Sequence, residues 1–185
     1  MITLGSLFDG IGGFPLAAVR CGVTPIWASE IEAFPISVTK VRFPSMAHVG
    51  DITKLNGAEL TPVDIITGGS PCQDVSVAGK RAGLAGERSG LFMEQIRLIK
   101  EMRAADARRN RETGTALAVR PRHMVWENVP GAFSSKDGED FRTVLEETIR
   151  IVDDSISVPR PPGGVWKSAG AILGDQFSVA WRVLD

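Results

Sequence analysis

An apolar run at residues 2–7 opens into the glycine turn Gly10-Ile11-Gly12-Gly13. A segment with helical spacing through Leu16, Val19 and Arg20 follows and closes near Gly22. Few folds accept that order. A buried strand, a tight glycine turn and an amphipathic helix make the start of a βαβ unit, and the pattern then repeats. Residues 23–29 predict a second strand ending in Glu30, followed by a helix that carries Ile36, Val38 and Val41 and stops before Pro44. Strands are predicted at 46–49, ending in Gly50-Asp51, and at 63–67. A helix is predicted over 89–103, with Leu91, Phe92, Ile96, Leu98 and Ile99 on its apolar face. A fifth strand at 122–126 ends in Glu127-Asn128, an amphipathic helix spans 140–152, and a last strand lies at 177–184. Residues 157–164, with Pro159, Pro161 and Pro162, read as a turn-rich connection. Strands alternating with helices imply an α/β fold with a parallel, doubly wound sheet, in which ligands gather at the carboxyl ends of the strands. Asp9, Glu30, Asp51, Cys72 and Glu127 all fall at such ends.

The 185 residues suit a single domain, 1–185, with a substantial core, and 43% hydrophobic with 23% charged residues is the balance of an ordinary globular protein. No apolar stretch approaches the roughly 18 to 20 residues of a membrane span, and the N-terminus lacks a charged region ahead of a hydrophobic one, so a cytoplasmic protein is expected. Cys21 and Cys72 lie far apart and in no metal-ligand spacing; neither a disulfide framework nor a metal site is indicated. His48 and His123 are isolated. A net charge of −1 does not mark a nucleic-acid binder. Arg103, Arg108, Arg109, Arg111 and Arg120 form a basic stretch that could face phosphate, although a solvated helix end and loop explains it better.

Gly69-Ser70-Pro71-Cys72-Gln73 follows the apolar run of Val63, Ile65 and Ile66 and puts a thiol on a stiff turn. Proline sets its own φ and biases Ser70 toward an extended conformation, while Gly68 and Gly69 allow a sharp turn and a close approach to ligand. A lone cysteine is often a small buried hydrophobe. The glycine-, lysine- and arginine-rich stretch at 74–88 argues against simple burial of this one. The first glycine turn suits a nucleotide-like ligand, with a plain tight turn as the alternative. A dinucleotide fingerprint needs its third glycine two residues farther on, where Pro15 stands, so NAD is disfavoured. Glu30 is placed to accept from ribose hydroxyls and Asp51 from an adenine amino group; either could instead be a helix cap.

Phe8-Asp9-Gly10-x-Gly12-Gly13, then Pro71-Cys72-Gln73 after Gly68-Gly69-Ser70, then Glu127-Asn128-Val129 occur in that order, and together the chain strongly resembles the C5-cytosine DNA methyltransferases. The resemblance runs from Leu4 to the end and is weakest at 103–120. It implies a Rossmann-like, S-adenosylmethionine-dependent methyltransferase sheet. Phe8, Asp9, Gly10, Ile11, Gly12, Gly13, Glu30, Ile31, Asp51, Ile52 and Pro71 would bind S-adenosylmethionine, with the Gly90-Leu91-Phe92 region closing over it. Cys72 would add to C6 of a cytosine flipped out of double-stranded DNA, and Glu127 would hydrogen-bond its N3 and N4 edge. Ser70, Gln73, Asn128 and Val129 would shape the base site. Lys80, Arg81 and Arg88, on a loop closing behind the base, would meet phosphates.

The family's Gln-x-Arg-x-Arg segment, its target-recognition region and its C-terminal segment do not occur in these residues, so the resemblance implies a sheet incomplete at its C-terminal end. Val75 stands where an aromatic often follows. The expectation is that residues 177–184 lack a neighbour and are mobile, paired in a homodimer, or completed by a second polypeptide. It is also that the chain alone is inactive or weakly active. A non-catalytic cofactor-binding or partner subunit of a split enzyme is the alternative. A thiol oxidoreductase is disfavoured by the lack of C-x-x-C. Amino-methylating DNA enzymes fit worse, because their Asp-Pro-Pro-aromatic motif is not at the end of the fourth strand.

Overall fold

The computed structural model describes residues 1–71 and 90–184. Five strands, β1 (Thr3–Leu7), β2 (Thr24–Ser29), β3 (Ala47–His48), β4 (Ile65–Gly68) and β5 (His123–Trp126), form one sheet in the order β3-β2-β1-β4-β5, every pairing parallel. The expected α/β, Rossmann-like sheet is therefore present. Its order reverses between β1 and β4, and a sheet of this kind binds ligands at the crevice created by that reversal.

Helices follow where the sequence turns amphipathic: α1 (Gly13–Arg20), α2 (Ala33–Arg42), α3 (Gly90–Thr113) and α4 (Glu139–Ile149). Pro15 and Pro35 are accommodated because each falls in the first turn of its helix, where an amide has no intrahelical partner to lose. Val41 of α2 is exposed; Thr39 and Phe43 take the inward positions. Helix α3 runs ten residues past the predicted end at Arg103. Phe92, Gln95, Ile96, Ile99, Met102 and Asp106 keep one buried face through to that extension. The basic run is mostly structural. Arg103 donates to Val119 O at 3.1 Å and Pro121 O at 2.6 Å. Buried Asp106 accepts from Arg109 at 3.3 Å and from Arg120 at 3.0 Å, which ties the far end of α3 to the approach to β5.

The chain divides into two compact units, one of Met1–Ser70 with Leu91–Glu127, the other of Pro71–Gly90 with Asn128–Asp185. The second contains α4 and an antiparallel pair, β6 (Ala169–Leu173) with β7 (Ser178–Arg182). This corrects the expectation that the last strand has no neighbour. β6 supplies one, and it was missed because Ala169-Gly170-Ala171 looks too small to be a strand. Gly170 is required there, since a Cβ at this position would lie 2.2 Å from the Trp181 ring. Phe141 of α4 anchors the unit, with ring centroids 4.5 Å from Phe133, 5.2 Å from Trp166 and 5.7 Å from Trp181. No helix among the described residues is long and apolar enough to cross a membrane.

The tightest point in the sheet is Gly5. A Cβ there would sit 2.3 Å from the ring of Trp27, which is buried and donates its indole N–H to Thr61 O at 3.0 Å. Overpacking of this kind costs about 1–3 kcal/mol. We expect Gly5→Ala to lower the unfolding free energy measured by urea denaturation by that amount; a free energy equal to that of the parent chain would mean that Trp27 moves aside freely.

Candidate functional site

The carboxyl ends of β1, β2, β4 and β5 carry the polar groups. β1 ends in a turn whose backbone is left-handed at Phe8 (φ 52°), Gly10 (φ 54°) and Gly12 (φ 86°). A phenylalanine held there is strained, and such strain persists only where surrounding structure enforces it. Part of the enforcement is visible: the amide of Asp9 donates to Ser29 O at 3.2 Å, and that of Gly12 to Asp9 O at 3.0 Å. Gly12 is also a packing requirement, because a Cβ would reach within 2.7 Å of Phe43. At Gly13 neither reason applies. Its φ is not left-handed and a Cβ would meet nothing within 4 Å. The space beside it is open.

Glu30, just past β2, accepts from the Gly10 amide at 2.8 Å through Oε2, and from the amides of Ile31 and Glu32 at 2.7 and 3.0 Å through Oε1. It therefore caps the entry to α2 and braces the glycine turn together. Asp51 behaves as a cap: its Oδ1 accepts from the amide and hydroxyl of Thr53 at 3.0 and 2.8 Å, and these bonds hold its carboxyl below the usual carboxylate range. Ile31 and Ile11 are exposed, and Ile52 is buried. Arg97 of α3 secures the Ile52 segment by donating to the carbonyls of Ile52 and Leu55 at 3.0 Å each. Leu91, in the first turn of α3, is half-buried.

The turn after β4 is shaped by what presses on its two glycines. A Cβ at Gly68 would lie 2.5 Å from Oε1 of Gln95, and one at Gly69 2.8 Å from Oε2 of Glu127. Gln95 is fully buried, and neither atom of its amide has a hydrogen-bond partner among the described residues. Buried Ser70 accepts from the Trp126 indole at 3.0 Å, and Trp126 packs edge-on against Phe92, centroids 5.8 Å apart. β4 and β5 are parallel neighbours with Gly68 opposite Trp126, so the segment leading to Cys72 and the acid Glu127 leave the sheet side by side. Pro71 is exposed. In the second unit, Asn128 Oδ1 accepts from the Val129 amide at 2.9 Å. Cys72, Gln73, Lys80, Arg81 and Arg88 lie outside the described residues.

Three groups escaped the sequence reading: Ser6, Thr67 and Gln95. Each is a polar residue on a face otherwise apolar, the one signal that could have exposed them. Ser6 Oγ donates to Asp9 Oδ1 at 2.5 Å, and Thr67 Oγ1 donates to Ser6 Oγ at 3.4 Å. The other oxygen of Asp9 is buried with no partner among the described residues. Burial pushes the Asp9 carboxyl up to about 6, the Ser6 hydrogen bond opposes the rise, and the charge of Glu30 adds to it.

The C-5 cytosine-specific DNA methylase family matches residues 2–151. The chain belongs to this family. It is 34% identical over 204 residues to a DNA N-6-adenine-methyltransferase of Escherichia phage P1, a match covering 98% of this chain and 26% of that protein. It is 36% identical over 140 residues to the type II methyltransferase M1.ScrFI of Lactococcus lactis subsp. cremoris, covering 75% of this chain and 31% of that protein. Among solved structures, the Dnmt2 methyltransferase of S. pombe shares the fold, with a TM-score of 0.54 at 21% identity over 78% of this chain and 41% of that one. The chain thus spans about a quarter to a third of the length of these curated relatives.

The raised carboxyl of Asp9 has a thermodynamic consequence. Its folded-state pKa of about 6 stands above the ordinary aspartate value of 3.8, so between those values the folded chain holds more protons than the unfolded chain. The contribution of Asp9 to stability therefore falls as pH rises from about 4 to about 6, by up to ~3 kcal/mol. Asp9→Asn, which cannot ionise, is expected to melt above the parent at pH 7.5 and level with it near pH 4. Equal melting temperatures at both pH values would remove the buried charge from the account.

Proposed function

We propose that the chain is the cofactor-binding and nucleophile-bearing portion of a DNA (cytosine-5)-methyltransferase, using S-adenosylmethionine and a cytosine flipped out of double-stranded DNA. The observation that carries this reading is the parallel exit of β4 toward Cys72 and of β5 into Glu127, with Gly69 allowing the Glu127 carboxylate to lie against the strand end.

The residues around the glycine turn suit S-adenosylmethionine. Open space beside Gly13, where neither backbone conformation nor packing calls for glycine, admits close approach of a ligand. Glu30 offers carboxylate lone pairs beside the turn, and exposed Ile11 and Ile31 offer apolar surface for a base. When bound, the cofactor supplies an electrophilic methyl group carried on a sulfonium. Cytosine C5 is a poor nucleophile until the ring is made enamine-like. Cys72 does this by donating its sulfur electron pair to C6, forming a C–S bond while the C5–C6 π electrons shift to C5. Glu127 hydrogen-bonds the N3 and N4 edge and offsets the negative charge that develops there. Once C5 is methylated, loss of the C5 proton returns an electron pair to the ring and expels Cys72 as thiolate, restoring aromaticity.

The relative named for adenine N-6 methylation does not displace this reading. Most of that protein lies outside the match, and the end of β4 here is Gly-Gly-Ser-Pro-Cys rather than an Asp-Pro-Pro-aromatic sequence.

Gly13→Ala separates folding from binding. The new methyl meets no protein atom within 4 Å, so the melting temperature should hold or rise slightly, a helical Gly→Ala exchange being worth about 0.4–1 kcal/mol. Affinity for S-adenosylmethionine by titration calorimetry should fall at least tenfold, with NAD giving no saturable heat in either chain. Undiminished affinity in Gly13→Ala, or no saturation by the folded parent chain, would refute the assignment of the cofactor to this turn.

A further inference from the structure

Asp9 has one oxygen engaged and one spare. Oδ1 takes the Ser6 hydroxyl at 2.5 Å, while Oδ2 is buried without a hydrogen-bond partner among the described residues, on a side chain 6% exposed. The residue sits between two left-handed backbone positions, Phe8 and Gly10. The Gly10 amide is in turn held at 2.8 Å by Glu30. Two carboxylates therefore address one strained turn. Glu30, from the end of β2, is the charged group that acts on Asp9 among the described residues; β1 and β4 present only the hydroxyls of Ser6 and Thr67. Negative charge gathered at one turn, with the Asp9 carboxyl buried, is offset by a cation brought close to it.

Building on the reading that this turn holds S-adenosylmethionine, we propose that Asp9 distinguishes the methyl donor from its demethylated product by charge. The two share their amino-acid and nucleoside parts and differ at one sulfur, a sulfonium cation in the donor and a neutral thioether in the product. The ionised carboxylate is the counter-charge of the sulfonium, so binding of the donor drives a proton off Asp9 into solvent. Loss of the methyl group removes the cation, the carboxylate takes its proton back, and the preference for the cofactor over its spent form disappears. The rise of the Asp9 carboxyl to about 6 places this exchange near neutral pH. The buried, unpartnered oxygen and the second carboxylate across the turn supply the geometry.

The test is titration calorimetry of the full chain with S-adenosylmethionine and with S-adenosylhomocysteine from pH 5 to 8, repeated at pH 6 in two buffers of different ionisation enthalpy. We expect about half a proton released per donor bound at pH 6 and none for the product. The donor-to-product affinity ratio should climb about tenfold between pH 5 and 7 and then level off. In Asp9→Asn the ratio should be flat and the proton release lost. Ser6→Ala, which removes a hydrogen bond favouring the ionised form, should move the midpoint to higher pH. Equal proton release for both ligands, persistence of the release in Asp9→Asn, or an unmoved midpoint in Ser6→Ala would overturn the proposal while leaving the cofactor site standing. A cooperatively melting parent chain that binds neither ligand would overturn both.

Discussion

Asp64 fixes the register from which the site follows. Its carboxylate accepts from the amide and hydroxyl of Thr3 at 3.0 Å each, and its amide donates to the Thr3 carbonyl and hydroxyl at 3.1 Å. Its carbonyl takes the amides of Arg122 and His123, and the Arg122 guanidinium lies 3.2 Å from its carboxylate. One residue thus locks β1, β4 and β5 at their amino ends. In a sheet whose side chains alternate faces, a slip of one residue would reverse every position along a strand. Ser6 would then turn away from Thr67, and Gly68 from Gln95. Burial raises the Asp64 carboxyl, but the hydrogen bonds of Thr3 together with Arg122 outweigh it and hold the carboxyl below its ordinary range, so this lock stays charged through the neutral range.

Close approach matters within β1 and at the carboxyl end of β4. Gly5, Gly68 and Gly69 each occupy a place where a methyl group would strike a larger neighbour, respectively Trp27, Gln95 and Glu127. Trp27 is part of the core. Gln95 and Glu127 bring polar groups against backbone that leads directly to the Cys72 segment. Cores favour apolar contact, and a buried amide without partners carries a cost. Such a cost concentrated at strand ends is the signature of a site rather than of a core.

Much of this was legible beforehand. Five strands, their parallel order and the residues at their carboxyl ends follow from apolar runs separated by helical spacing and glycine turns. The double duty of Glu30 could be read only in part, because its bond to the Gly10 amide depends on β1 and β2 lying side by side. Asp51 looked equally suited to a ligand and to a cap, and its Thr53 contacts show the cap. Arg108, Arg109 and Arg111 read as a solvated helix end and loop beyond a helix ending at Arg103, and the structure carries α3 through them to Thr113. What keeps them helical is the pairing of Asp106 with Arg120, fourteen residues away and invisible to any local pattern. β6 escaped because strand propensity rewards branched and aromatic side chains, whereas its small residues are dictated by Trp181 opposite.

Asp64 at one end and the glycine turns at the other give β1 and β4 two unlike halves. The amino ends are clamped by reciprocal charge-assisted bonds that specify pairing. The carboxyl ends rest on left-handed backbone and close contacts, joined across β1 and β2 by the Asp9 amide on Ser29 O and the Gly10 amide on Glu30. At Gly13, where a methyl group would meet no protein atom within 4 Å, the face of the turn can be altered without disturbing strand order.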